Sequence, residues 1–540
     1  MDLYFQARQL GWFWNKHVGG YLMAVIPLRN IGQGGIVTDQ DPYDLELTQF
    51  PTGNNVSFES GRIGKANGYN LITNLSFQPT GCGGFLLDSY NSLIVGSINK
   101  LYKFNGSSVT DVTKTSDATT YSNSARWELT QAGRAIIANN GADAPQYLLH
   151  SGSRFADLTN WPSGATTGSI KNFGSFMVMA GYNTSGTQHP FTVRWSDEFD
   201  STTVPDDWSI TSTTNLAGEN ILSGANGILV DQLPLNNSNM IYAERGVFAM
   251  DFIGAPLVFS FREVFNDDGI INRGAVASFM GQHLVVGQRD IYIHNGSTKR
   301  SLVDKRVRRT FFSELRDPRS VFCQVVAARS EVWVCYATDG SADAETANKA
   351  LVYNYSQDAF TFIDIPNCRA LTIGDKLVTI GGWDTFSTDW NESNDYWSSV
   401  SPAPTTDRIR IYGASYSDNK VYEFNSGWSA NGSSYNAFLE APKIDLDKVL
   451  QTSTSSVKQI RQIVPQIEGS GNLTVRVGAS NSPQGGITWQ PEKTYTIDSD
   501  YKIDTRVSGR YLALRFESTS DTDFWRITGL DLDVAEVSGR

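Results

Sequence analysis

One short unit recurs along this chain and limits what it can fold into. Ser92-Leu-Ile-Val-Gly96 leads to Leu101-Tyr-Lys-Phe-Asn-Gly106. His283-Leu-Val-Val-Gly287 leads to Ile291-Tyr-Ile-His-Asn-Gly296, and Arg410-Ile-Tyr-Gly413 leads to Val421-Tyr-Glu-Phe-Asn425. Weaker copies stand at Gln146–Gly152 and Leu351–Tyr355. Each copy alternates apolar and polar residues with the period of a half-buried strand. Three end in Asn with Gly beside or near it, a pair that tolerates positive φ and turns the chain back. One hairpin cannot bury its apolar face alone, so the copies must pack on one another.

Tyrosines anchor the units at 102, 147, 292, 353 and 422. The interval between Tyr147 and Tyr292 leaves room for two more, around Phe176–Trp195 and Ala243–Phe261. The expected fold is all-β: a propeller-like body of six or seven blades. Past Asn431 the Asn-Gly units stop and longer alternating strands begin. Val464–Gly469, Leu473–Gly478, Val507–Phe516 and Phe524–Asp533 read as a C-terminal antiparallel β-sandwich. The expected division is an N-terminal extension at 1–22, a strand segment at 23–75, the propeller-like body at 76–430 and the sandwich at 431–540. Met23 is a natural start, and the extension carries Trp12, Phe13 and Trp14. Helices are expected only at Ser341–Lys349 and Asp447–Gln451.

Composition excludes several classes. The formal net charge of −12 opposes a protein that grips nucleic acid through its phosphates. No window approaches 18 uninterrupted apolar residues, so no transmembrane helix and no membrane anchor are expected. The four cysteines, at 82, 323, 335 and 368, are too sparse for a disulfide scaffold and read as buried free thiols.

The block "SGRYLALRF" followed by "WRITGLDLDV" resembles the C-terminal end of the tail nozzle proteins of short-tailed bacteriophages. Further segments resemble that family in order: Gly34–Asp39, Asp41–Leu45, Asn55–Phe58 with Gly61, Gly68-Tyr69, Val193–Asp197 with Trp208, Pro256–Phe261 and Lys305–Phe312. The resemblance runs from about residue 30 to the C-terminus. It implies a non-enzymatic virion protein, assembled in the host cytoplasm as a homo-hexamer below a tail adaptor. It also implies that fibres or spikes attach outside and that DNA passes through the channel without specific binding. The alternative reading is a carbohydrate-binding or carbohydrate-cleaving propeller in a receptor-binding tail component.

Candidate sites follow from residue type. Lys305, Arg306, Arg308 and Arg309, interleaved with Val307 and Phe311, read as an interface strand. Trp383, Trp390 and Trp397 mark a long insertion suited to subunit contacts. Asp267-Asp268-Gly269 is the candidate lumen-facing constriction, with Gly269 as a tight, movable turn. His283 and His294 face each other across a hairpin, but two histidines fall short of a zinc set. Ser482–Trp489 nearly matches the sialidase Asp-box but has Gln484 where the aspartate belongs. Gly32–Gly35 lacks the Lys and Ser/Thr of a phosphate loop and reads as a flexible lead-in. Asp197, Glu198 and Asp200 read as solvated loop carboxylates. No cofactor is expected.

Overall fold

The computed structural model describes residues 16–18, 21–87, 90–123, 126–200, 203–212, 214–375, 377, 409–452 and 456–538. The chain is almost wholly strands and turns. The 1–15 stretch and Trp383, Trp390 and Trp397 lie outside the described residues.

Among the described residues the propeller-like body consists of seven four-stranded antiparallel units. Units 1 to 5 are separate sheets whose strand order follows the chain. Their first strands are Pro79–Leu87, Glu128–Ala132, Ala165–Phe173, Leu229–Leu235 and Val276–Phe279. Unit 6 begins at Phe322–Val326 and ends in the first half of Ala359–Asp375. The second half of that 17-residue strand opens unit 7. Ile409–Ser415 and Lys420–Phe424 follow, and Tyr69–Asn74, from the far end of the chain, completes the unit. The first strands of successive units lie against one another, and the circuit returns from unit 7 to Pro79–Leu87. Every tyrosine anchor falls on a third strand: Tyr102, Tyr147, Tyr292, Tyr353 and Tyr422. The recurrent sequence unit is therefore the second and third strand of a blade. The two unmarked units lie where the spacing left room for them.

The sandwich draws on both ends of the chain. In one sheet, Trp525–Ser538 lies between Tyr21–Arg29 and Val457–Gly469, with Ile503–Gly509 beyond. Arg62–Lys65 also pairs with Trp525–Ser538. In the other, Thr52–Asn54 pairs with Ala437–Ile444, which pairs with Tyr511–Ser518. The strand segment expected at 23–75 is thus divided between the two bodies. Strict alternation sets the faces: Ile503, Thr505 and Val507 are buried while Asp504, Arg506 and Ser508 are exposed.

The motif Asn55–Phe58 joins the bodies. Asn55, at φ +55, donates from Nδ2 to Asp364 Oδ2 and to the Asn436 carbonyl, each at 2.8 Å. Its Oδ1 accepts from the Asp364 N–H at 2.8 Å. Thr361 Oγ1 donates to the Val56 carbonyl at 2.6 Å, and Asn354 Nδ2 to the Phe58 carbonyl at 3.1 Å. One buried apolar core continues from the sandwich into units 4, 5 and 6.

Two local expectations are corrected. Ser341–Lys349 is not helical: the Asp343 carboxylate accepts from Glu345 N and Thr346 Oγ1, a local turn that competes with helix, and Ala347–Asn354 is a strand. Gly32–Gly35 is close-packed rather than flexible. Gly35 has φ +65, and a Cβ there would meet Phe360 N at 2.8 Å. The short helix near residue 447 is present, as Asp447–Leu450. No helix among the described residues is long and apolar enough to cross a membrane.

Candidate functional site

The first strands of units 2, 3 and 4 carry Glu128, Lys171 and Asp231, and the segments entering units 2 and 5 carry Arg126 and Arg273. Closing the circuit of first strands brings these five charges together at the axis. Lys171 Nζ lies 2.9 Å from Asp231 Oδ1 and 3.5 Å from Glu128 Oε1. Asp231 is fully buried and met by four donors. Its Oδ1 also accepts from Ser169 Oγ and Gln232 N, and its Oδ2 from Gly274 N, each at 2.8 Å. Burial pushes its carboxyl up, but the Lys171 charge and these donors outweigh that and hold it below the usual range. Burial likewise opposes the Lys171 charge, and Asp231 and Glu128 override it.

The two arginines interlock. Arg126 Nη1 donates to the Arg273 carbonyl at 3.2 Å, and Arg273 Nη2 to the Arg126 carbonyl at 3.0 Å. Arg273 Nη1 reaches the Gly168 carbonyl at 2.5 Å, and the Arg126 guanidinium stands 5.0 Å over the Phe322 ring. Burial, with the neighbouring Arg273 charge, pushes Arg126 down to about 10. The arrangement ties units 2 to 6 together across the axis. Its buried carboxylate, with three donors on Oδ1 and one on Oδ2, suits a structural plug. Sequence reading passed over these residues. The available signal was a lone charge inside an apolar strand, as Asp231 stands in Ile228-Leu-Val-Asp-Gln-Leu233.

The basic run does not form a strand. Arg308–Glu314 is a helix, with Val307 and Phe311 fully buried one turn apart. Asp39 Oδ2 accepts from Arg309 N at 2.9 Å, so a residue 270 positions upstream satisfies an orphan donor of the first turn. Arg306 is committed within the fold: its guanidinium lies 3.0 Å from Asp358 Oδ1 and 4.7 Å from the Phe360 ring centroid. Lys305, Arg308 and Arg309 are exposed, and Arg308 Nε donates to the Arg289 carbonyl at 2.9 Å.

Lys299 braces the acidic loop. Lys299 Nζ pairs with Asp267 at 2.6 Å and also with Asp268. The Lys299 hydrogen bond holds the Asp267 carboxyl below its usual range. Gly269 is needed for close approach: a Cβ there would meet the Ala243 carbonyl at 2.0 Å. Asp197 accepts from the Leu216 N–H, 19 positions on, at 2.8 Å, and Asp200 shapes a local turn by accepting from the Thr203 N–H at 2.9 Å.

His283 and His294 do face each other in register, both buried. Tyr242 Oη lies 2.6 Å from His283 Nδ1 and 2.8 Å from His294 Nε2. His294 Nδ1 accepts from Gly296 N at 3.2 Å, so its proton resides on Nε2. His283 Nε2 faces the Pro234 carbonyl at 3.1 Å and must donate there. The protons therefore run one way: His294 to Tyr242, Tyr242 to His283, His283 to Pro234. Burial depresses His283 to about 3 and His294 to about 4. Both rings are neutral at pH 7.

Among the described residues no group of three or more His, Cys, Asp and Glu is placed to hold a metal. All four cysteines are free, and Cys335 stands opposite Phe322 rather than Cys323. A polar groove of about 570 Å³ opens on the sandwich between Arg461, Glu492, Lys493, Asp504, Arg506 and Asp533. No aromatic ring lines it.

No family model matches the chain, and no curated protein matches it. Among solved structures it is similar to a chain of the mitotic checkpoint complex crystal structure. The two are 11% identical, the match covers 66% of this chain and 92% of that one, and the TM-score is 0.37. That likeness is too slight to bear on function.

Proposed function

We propose that the chain is a structural virion protein, the distal nozzle of a short phage tail. One observation carries this reading. Asn55–Phe58 and the C-terminal run from Trp525, two segments that resemble the nozzle family and lie some 470 residues apart, are strands of one sheet of the sandwich, joined through Arg62–Lys65, which pairs with both.

The interlocked charges at the propeller axis bear on how such a protein would conduct DNA. A duplex is about 20 Å wide, far wider than a blade axis filled by side chains. The conduit would therefore run between copies, as in a six-fold ring on an adaptor. Six copies carry 6 × (−12), a formal −72, which favours passage over retention of a polyanion. Fibres or spikes would attach outside the ring, and assembly would occur in the host cytoplasm. The Trp383–Trp397 segment and the exposed cations at 305, 308 and 309 are our candidates for contacts between subunits.

A reconstruction of isolated tails, with mass photometry of the adaptor-bound protein, tests the reading. Six copies in a closed ring are expected. A single copy per tail would overturn it.

Charge reversal separates assembly from folding. Arg308→Glu with Arg309→Glu is expected to lower incorporation into tails about ten-fold, while exposed charges of this kind alter stability by only about 1 kcal/mol or less. Arg306→Glu is expected to lower the melting temperature instead, because it removes the Asp358 pair and the Phe360 contact. If the first variant melts early and the second assembles poorly without melting, the two roles are reversed.

A further inference from the structure

Unit 4 ends in an outer hairpin, Val247–Gly254 with Val258–Phe265. Its tip reads Phe252-Ile-Gly-Ala-Pro-Leu257, six residues without a polar side chain. Phe252, Ile253 and Leu257 are 51%, 52% and 70% exposed. The tip stands clear of the body: a Cβ added at Gly254 would meet nothing within 4 Å. Its base is braced. Phe252 lies opposite Phe259 in register with ring centroids 5.7 Å apart, and Phe176 packs on both, at 5.7 and 5.0 Å. Polar groups return just behind, where Arg262 Nε meets Asp251 Oδ2 at 3.2 Å.

Large apolar side chains held rigidly in water are costly, so a tip built this way marks a contact. Its size selects the kind. The three exposed side chains offer about 300 Å², well short of the roughly 800 Å² per partner of a stable protein interface. A lipid surface needs no complementary pocket, and a narrow apolar tip backed by polar groups matches the shallow depth of the headgroup–acyl boundary. The charge nearby selects the lipid. The hairpin itself, 247–265, carries Asp251 and Glu263 against Arg262 alone, so it offers no cluster of cations to anionic headgroups.

We propose that the Phe252–Leu257 hairpin tip inserts into the interfacial layer of an electroneutral lipid bilayer. This is independent of the nozzle reading. The test uses the full chain and phosphatidylcholine vesicles in a flotation gradient. Wild type is expected to float with the vesicles, unchanged between about 50 and 500 mM salt, since the contact is apolar. Ile253→Asp with Leu257→Asp is expected to lower the floated fraction about ten-fold with an unchanged melting temperature. Ile98→Asp, at an exposed apolar residue of unit 1, is expected to float like wild type. Tryptophan fluorescence of Leu257→Trp is expected to shift to the blue on vesicle addition. Wild type left at the bottom of the gradient, or a double variant that floats like wild type, overturns the proposal. A double variant that changes oligomeric state with unchanged flotation assigns the tip to a contact between copies and overturns it too.

Discussion

Asp231→Ala is expected to destabilise the propeller-like body by about 4 kcal/mol, the scale seen when one partner of a buried ion pair is removed. The loss has named parts. Lys171 keeps its charge without its nearest partner at 2.9 Å. Ser169 Oγ, Gln232 N and Gly274 N lose an acceptor at a fully buried position. Glu128, 3.5 Å from Lys171 Nζ, offsets part of the cost. The double change Asp231→Leu with Lys171→Met is expected to recover part of the loss, because it removes the stranded Lys171 charge while Glu128 loses its partner and the three donors stay without an acceptor. Denaturant unfolding followed by tryptophan fluorescence measures both. A loss below about 1 kcal/mol for Asp231→Ala, the range of an exposed pair, would mean that water reaches the axis and that the plug is not sealed.

Acid should weaken the protein well before its carboxylates titrate. His283 and His294 have folded-state pKa values of about 3 and about 4, against about 6.5 for an unfolded histidine. For a depressed histidine the folded state binds fewer protons than the unfolded one. The stabilisation is therefore fully present above pH 6.5 and is lost as pH falls through 6.5 toward the folded values. At pH 5 each ring costs about 2 kcal/mol, about 4 together. The one-way proton order explains why neither ring accepts a proton readily. A second proton on His294 Nδ1 would face Gly296 N–H, and one on His283 Nδ1 would face the Tyr242 hydroxyl proton. Unfolding midpoints compared at pH 7.5 and pH 5 read the effect. His283→Leu with His294→Leu should flatten the pH dependence in that window, and Tyr242→Phe should cost about 2 kcal/mol at pH 7.5 by leaving both ring nitrogens unsatisfied. A wild-type midpoint that does not move between the two pH values would sink the assignment.

Much of the fold was legible because its signals are local. Strand period is a property of neighbouring residues, and tight turns pin register within a hairpin. That is why the tyrosine spacing found third strands and why His283 and His294 were expected to meet. The helix Arg308–Glu314 was also readable, since Val307 and Phe311 stand four residues apart, but the alternation of charge and apolar residues drew the reading toward a strand.

The residues taken alone determined an all-β chain, its repeated hairpins, the change of texture past Asn431 and the excess of acid over base. Tertiary structure decided what no short window contains. Tyr69–Asn74 completes the last unit from the other end of the chain. Tyr21–Arg29 finds its partner in Trp525–Ser538, about 500 residues away. Arg306 spends its charge on Asp358, and Arg126, Glu128, Lys171, Asp231 and Arg273 converge at one axis. The physical reason is common to all of these. An edge strand accepts any partner of suitable pattern, and a buried charge accepts any opposite one. Which partner arrives is set only when the circuit of units closes.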